Sequence, residues 1–345
     1  MYAIAWRFGI WRLFCGKGEE TMRDTTGYAV AMMLAMFWNV ENFFYPERVK
    51  YSDSLNPKVE MNWGWKRFAA KRDAIAKTII ATKDKYGDFP SFIGFCEIGE
   101  RRVLEQLCVN TPLLKLGYRI LHKDSPDGRG IDVAMLYLPD KLRVTAVRYL
   151  AAEEAKTREI LYAKGVARLL EGEDTLHIFV NHWPSKLGGA SSAALRERIA
   201  KLLQRKADSI AEQNPSAKII LMGDFNDSPT GSAIAKLKGF RNLSQELQES
   251  LKKENTPAKA SHKYNGRWEM LDQFLTRGIE GARADIFASP HLLQGDKKFL
   301  SQRIKRTFIG LRYNGGVSDH LPIVLIVCNP TDSSLRPEWN DKNSK

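Results

Sequence analysis

Polar residues of a recurring kind punctuate this chain at the ends of apolar runs. Asn39 and Glu41 follow residues 31–38, Glu97 follows FIGFC, and Asn181-His182 follow LHIFV. Asp224 and Asn226 follow KIILMG, Asp272 sits inside EMLDQFL, and Asp319-His320 precede LPIVLIV. A carboxylate at a strand end is costly to bury unless it is paired or metal-bound. Carboxylates, amides and imidazoles without a thiol form a hard-oxygen set that suits Mg²⁺ or Mn²⁺ better than structural zinc. Such a set can hydrolyse a phosphoester. A cation stabilises the charge that develops on phosphate oxygens, amides and imidazoles donate to them, and a base near neutrality takes the proton of the attacking water.

Each piece has a plainer reading when taken alone. Gly223-Asp224-Phe225-Asn226 also reads as a turn, since Gly, Asp and Asn all favour turns. Glu97 reads as a cap for the helix near Glu100–Cys108. His182 reads as a satisfied core histidine, and Ser318-Asp319-His320 as an N-cap or turn. The ordered series is the distinguishing feature: WNVEN, GFCEI, RGIDVAMLY, TREI, NHWPS, GDFND, MLDQF and GGVSDHLPI. It resembles the endonuclease/exonuclease/phosphatase superfamily, the fold of deoxyribonuclease I and the AP endonucleases, over residues 34–328.

That resemblance implies an α/β fold in four layers, an α-β-β-α sandwich of two packed mixed sheets with the site at one rim. By resemblance, Glu97 is the principal metal carboxylate, Asn39 lies beside it, and Asp319 is a further metal-side carboxylate. Glu41, where some relatives carry Asp, is a metal ligand or a supporting residue. His320, oriented by Asp272, handles a proton or binds the scissile phosphate. Asp224 and Asn226 position the attacking water and a phosphate oxygen, and His182 is a phosphate-binding or acid-base histidine. Arg158 in TREI contacts phosphate, and Arg129 holds the rim. Asp224 and an Asp272-supported His320 both remain open as the base. The implied cofactor is Mg²⁺, with Mn²⁺ as a substitute.

The elements that must position these residues follow from periodicity. Strands are expected at 31–40, 91–97, 131–138, 143–150, 158–168, 175–181, 217–222, 270–276 and 321–328. Several are continuously apolar, as for strands buried on both faces. Helices over 68–83 and 195–210 carry apolar residues at the 3.6 period of a one-faced surface helix. Asp227-Ser228-Pro229 reads as a cap and start for a helix over 231–238. One domain is expected from 28 to 328, between a loosely ordered extension (1–27) and a frayed polar tail (329–345).

The 345 residues carry 53 Lys and Arg against 40 Asp and Glu, a formal charge of +13. This favours anionic partners, although a generally basic surface explains it equally. Lys297, Lys298, Arg303, Lys305, Arg306 and Arg312 precede GGVSDH with Phe299, Phe308 and Tyr313 interleaved; Lys263, Tyr264, Arg267 and Trp268 precede Asp272. They read either as a surface for a polyanion with stacking bases or as a solvated loop with aromatic anchors. Cys15, Cys96, Cys108 and Cys328 lack CxxC spacing and read as free thiols, without a disulfide framework or zinc knuckle. No apolar run of about 18 residues is present, so stable membrane insertion is not expected. Met22, Met32 and Met33 compete as starts, so a cytoplasmic location is favoured with export left open. The expected partner is nucleic acid or another phosphoester, with a monomeric chain and no obligate protein partner. A nuclease leads; a phosphatase or phospholipase C-like enzyme acting on inositol phosphates, phospholipids or other small phosphoesters is the alternative, and a noncatalytic basic binding protein is a minor one.

Overall fold

The computed structural model describes residues 33–46, 62–152, 157–169 and 172–328. The extension 1–27, Cys15 and the tail 329–345 lie outside the described residues. The strands of the first half are β1 Met33–Phe43, β2 Phe92–Ile98, β3 Arg119–His122, β4 Asp132–Tyr137, β5 Leu142–Leu150, β6 Ile160–Leu169 and β7 Gly172–His182. The second half adds β8 Lys218–Asp224, β9 Arg241–Asn242, β10 His262–Tyr264, β11 Arg267–Glu269, β12 Asp272–Arg277 and β13 Ala282–Ile286. Four short strands, β14 Leu293–Asp296, β15 Ser301–Ile304, β16 Phe308–Ile309 and β17 Arg312–Tyr313, precede β18 Ile323–Val327. The helices are α1 Trp65–Tyr86, α2 Arg101–Val109, α3 Gly189–Gln213 and α4 Leu243–Leu251.

Two mixed six-stranded sheets result, ordered β13-β18-β1-β2-β4-β3 and β5-β6-β7-β8-β12-β9. Alternation along each strand decides what they face. Ile220 and Met222 of β8 point into the core between the sheets, whereas Ile219 and Leu221 point outward under Ile199, Ala200, Leu203 and Ala207 of α3. Helix α1 buries Phe68, Ile75, Ala76 and Ile79 in the same core as the first sheet. This is the four-layer α/β sandwich. Gly94 of β2 sits where the sheets press closest: a Cβ there would lie 2.7 Å from Met222 Cε.

The periodic segments form their expected elements, with boundaries moved by a few residues. The helix expected over 231–238 is only a 3-10 turn, Ile234–Lys236. Gly239, with φ +74°, ends that stretch, leaving too few residues to offset helix nucleation. Glu97 caps no helix; it is the penultimate residue of β2, and Glu100 precedes α2. Residues 241–268 hold α4, capped by Asn242 Oδ1 accepting from Ser244 N and Gln245 N. Cys96 and Cys108 are buried free thiols, and Cys328 is buried. Among the described residues no helix is long and apolar enough to cross a membrane.

Phe225 packs edge-on against Trp183, ring centroids 4.8 Å apart, and is fully buried under α3. Phe225→Ala is expected to lower unfolding free energy by roughly 3–5 kcal/mol, measured by urea denaturation; a loss below about 1 kcal/mol would contradict its place in the packing.

Candidate active site

Strand register brings the first three residues together. Asp224, the last residue of β8, lies opposite Asp272 in the antiparallel β8–β12 pair and beside His182 in the parallel β7–β8 pair. Asn39 of β1 and Glu97, one residue past its partner Cys96 on β2, arrive from the other sheet. Asn39 spans the gap: its Nδ2 donates to Asp224 Oδ2 at 3.1 Å and to Glu97 Oε1 at 3.3 Å. His320 stands before β18, its Nδ1 2.7 Å from Asp272 Oδ2 and its Nε2 3.9 Å from Asp224 Oδ2. His182 Nε2 lies 3.8 Å from Asp224 Oδ2 and 3.9 Å from Glu97 Oε1. Asn39, His182 and His320 thus lie within 3.9 Å of Asp224 Oδ2, with Glu97 beside Asn39 and His182 and Asp272 bonded to His320.

The remaining expected residues take distinct positions. Asn226 Nδ2 and Arg158 Nη2 both donate to the Trp183 carbonyl at 2.9 Å. Arg158 also pairs with Asp127 at 2.9 Å, and Arg129, half-exposed, lies 3.7 Å from the same carboxylate. Asp319 pairs through Oδ2 with Arg306 at 3.1 Å. Its ligand atom clusters with those of His262 and His320, all within 4.8 Å. Both Glu41 oxygens are engaged: Oε1 accepts from Arg306 Nε and Nη2 at 3.1 and 2.9 Å, and Oε2 accepts from Thr307 N at 2.7 Å.

Two plainer readings coexist with the chemical one. Asp224 Oδ1 accepts from Asn226 N at 2.9 Å, a turn bond that leaves Oδ2 facing the cluster. Ser318 Oγ accepts from His320 N and donates to Asn39 O, so the turn fixes His320 against β1. Trp38 Nε1 donates to His320 O at 2.9 Å and completes that clamp. Asp224 and His320 were expected at an exposed rim; they are only 2% and 6% exposed because the strand ends are enclosed between two sheets.

This enclosure sets the protonation states. Burial pushes Asp224 up to about 6, with Asp272 adding to it and His320 and the two amide donors opposing. Burial alone would lower His320, but Asp272, Asp224 and Asp319 together carry its imidazolium well above the ordinary histidine range. His182 falls well below that range through burial and the nearby Arg158 and Arg129. Asp319 would rise on burial, yet Arg306, His320 and His262 hold it at about 2. Cys96 Sγ lies within 4.8 Å of ligand atoms of His182 and Asp224. Burial, then Asp224 and Glu97, push its thiol well up, so it stays protonated and is a poor ligand.

Sequence reasoning missed four contributors. Lys71 is fully buried on the apolar face of α1, its Nζ donating to Glu41 O and, at 2.8 Å, to Thr307 Oγ1. Burial pushes it down to about 8, against the pull of Glu41, Glu97 and Asp319. A lysine between Phe68 and Ile75 was the signal available. His262 lies against His320, ring centroids 4.6 Å apart and planes tilted by 38°; burial and His320 lower it to about 4. Asp127 and Thr307 gave no pattern signal. The basic segment is divided: Arg306 and Lys263 are tied inward, Lys263 to Ser301 Oγ at 2.8 Å and Gln302 O at 2.7 Å. Tyr264 (62%) and Phe299 (42%) are exposed.

The model of the Endonuclease/Exonuclease/phosphatase family matches residues 34–329. Among solved structures, truncated TDP2 from Caenorhabditis elegans is 16% identical over 86% of this chain and 97% of that one, with a TM-score of 0.54. TDP2 from D. rerio, complexed with a single strand DNA product, is 15% identical over 85% and 98%, with a TM-score of 0.50. The human nocturnin catalytic domain with bound sulfate is 14% identical over 85% and 93%, also at 0.50. Comparison with curated protein sequences gives no match. The match across both sheets and every strand end described above places this chain in the endonuclease/exonuclease/phosphatase family of phosphoesterases.

Proposed function

We propose that the chain is a divalent-metal-dependent phosphodiesterase acting on a nucleic-acid strand. The clustering of Asn39, Glu97, His182, Asp272 and His320 about the enclosed carboxylate of Asp224 carries the reading. The donor set fits Mg²⁺ or Mn²⁺. Glu97 is partly exposed toward the cleft and presents oxygen, Asn39 adds an amide, and the one adjacent thiol is held protonated. Glu97 and Asn39, with Asp319 on the His320 side, are the residues that would hold the ion. Bound there, it would act as a Lewis acid on a nonbridging phosphate oxygen.

The chain's own residues divide the remaining work. Asp224, poised near 6, takes a proton from water as the water oxygen bonds phosphorus and the ester P–O bond opposite breaks. The His320 imidazolium, held by Asp272, donates to a phosphoryl oxygen as charge builds there. His182, held neutral, offers a ring N–H, and Asn226 offers the amide hydrogen not used on Trp183. Arg158 and Arg129 add positive potential on the His182 side. A nucleic-acid strand is favoured by the +13 charge. It is also favoured by exposed Tyr264 and Phe299 on elements leading away from His262, with Lys298 Nζ 5.1 Å from the Phe299 ring. The D. rerio neighbour, which holds a single strand DNA product, supports the same choice.

Plasmid DNA, RNA, bis(p-nitrophenyl) phosphate and a panel of inositol and lipid phosphates, each with Mg²⁺, Mn²⁺ or EDTA, test this reading. Metal-dependent cleavage of nucleic acid with steep salt dependence is expected. Turnover confined to the small phosphoesters would reassign the substrate, and no metal-dependent turnover on any would sink the proposal. Asp224→Asn and His320→Ala are each expected to lower kcat by at least ~10²-fold with folding intact; wild-type rates in either would remove its role.

The pH profile has a definite sign. As pH rises through about 6, Asp224 loses its proton and kcat/KM rises. It falls only at alkaline pH, where the raised His320 gives up its proton. Asp272→Asn removes an upward pull on His320, so the alkaline limb is expected to move to lower pH in a kcat/KM series. An unmoved limb would show that Asp272 does not set that protonation.

A further inference from the structure

We propose that Lys71 is a positioning residue for the metal carboxylate Glu97, acting across the single peptide that joins Glu41 to Asn42. The inference rests on the metal-dependent reading above.

The carbonyl of that peptide accepts from Lys71 Nζ, and its N–H, on Asn42, donates to Glu97 Oε2 at 2.8 Å. A trans peptide is planar, with C=O and N–H pointing opposite ways, so fixing one end fixes the other. This peptide needs fixing. Glu41 and Asn42 both lie in the left-handed region, at φ 49° and 50°. Such residues persist only where the surroundings over-determine them. Glu97 itself stands at φ 62°. If the peptide relaxed, Glu97 would lose its main-chain donor and keep only the longer contact from Asn39, at 3.3 Å.

Lys71 is suited to hold it. Its Nζ is buried, and Thr307 Oγ1 accepts from it at 2.8 Å. Thr307 in turn gives its N–H to Glu41 Oε2 and its hydroxyl to Val317 O. The cation, the Glu41 carboxylate and the 306–307 backbone therefore form one closed network beneath the peptide. A cation on the carbonyl also polarises the N–H at the other end and strengthens its bond to Glu97. An apolar residue would fill position 71 at lower desolvation cost, since burying an ammonium is expensive. The network extends through Arg306, which joins Glu41 to Asp319. Glu41 thus links the Glu97 and Asp319 sides of the site without its side chain facing the cleft between Glu97 and Asp224.

The test uses the full chain and Mn²⁺ alone, titrated by electron paramagnetic resonance without substrate, with a melting curve for each variant. Lys71→Met removes the donor and keeps the length. It is expected to weaken Mn²⁺ binding by ~10–100-fold, as loss of a partner that orients a metal ligand does. In turnover assays the Mn²⁺ needed for half-maximal rate rises by a similar factor, while kcat at saturating Mn²⁺ stays within about threefold of wild type. A purely structural role would not give that split. Thr307→Val leaves every charge in place and is expected to shift Mn²⁺ affinity in the same direction by less. It decides the matter if Lys71→Met does not fold. Mn²⁺ binding within about twofold of wild type in the folded variant overturns the proposal. Glu97→Gln is the control. Loss of binding there with none in Lys71→Met refutes only the Lys71 role. Unchanged binding in Glu97→Gln overturns the metal reading and this inference together.

Discussion

Buried negative charge is the constraint around which this molecule is organised. Glu41, Asp224 and Asp272 are 4%, 2% and 0% exposed, and Glu97 and Asp319 lie beside them. An unpaired carboxylate in such a place would take up a proton rather than remain ionised. The fold answers each one differently. Asp272 holds an imidazolium, Asp319 a guanidinium, and Glu97 a main-chain N–H and an amide. Asp224, like Glu97, has only neutral donors at hydrogen-bond range, here Asn39 Nδ2 and Asn226 N, with both imidazoles 3.8–3.9 Å away, but it is the more deeply buried of the two. That incomplete compensation keeps its proton affinity near neutrality, which is what a base for water requires. The same logic separates the histidines. His320 is bonded to Asp272 and is held as a cation; burial, with Arg158 and Arg129 adding to it, keeps His182 neutral.

Neither sheet holds the site alone. The β7–β8–β12 register sets His182, Asp224 and Asp272 side by side, whereas Asn39 and Glu97 come from β1 and β2, and His320 from the turn before β18. The one direct bond between the halves at Asp224 is the Asn39 amide. Beneath it a Cβ on Gly94 would lie 2.7 Å from Met222 Cε, so the two layers are in close contact there. The position of Asp224 relative to Glu97 is thus a consequence of how two apolar layers seat, and core packing becomes a determinant of site geometry.

What was legible in the sequence was the part written in strand ends. Continuous apolar runs such as KIILM and LPIVLIV located strands buried on both faces, and the polar residues flanking those runs are the ones that cluster. The family resemblance added their grouping. Support from outside that pattern was not legible. Asp127 lies in a loop with no periodicity, and Thr307 in a segment read for its cations. Arg306 and Lys263 were counted with a charged surface, but whether a cation points outward or into an ion pair depends on the turn that carries it. The turn and chemical readings of GDFN and SDH were posed as rivals and are not. One Asp224 oxygen closes the turn and the other faces the cluster; Ser318 shapes the turn that presents His320.

Backbone strain marks the same place independently. Six non-glycine residues among those described have positive φ, and four of them, Glu41, Asn42, Glu97 and Asn226, are at the site. Each such conformation costs about 1–3 kcal/mol and survives only under external constraint. The constraints are visible at every one. Asn42 N donates to Glu97, Glu41 O accepts from Lys71, and Asn226 is held through its backbone by Asp224 and through its side chain by Trp183 O. These residues could adopt ordinary β geometry if the strands ran straight on, but Glu97 and Asn226 would then leave the cluster, since one residue of register turns a side chain to the opposite face. The strained turns therefore do what regular strands cannot: they send neighbouring polar residues to different partners, Glu97 to Asn39 and Asn42 N and Glu41 to Arg306 and Thr307, and the two packed sheets supply the stability that keeps them there.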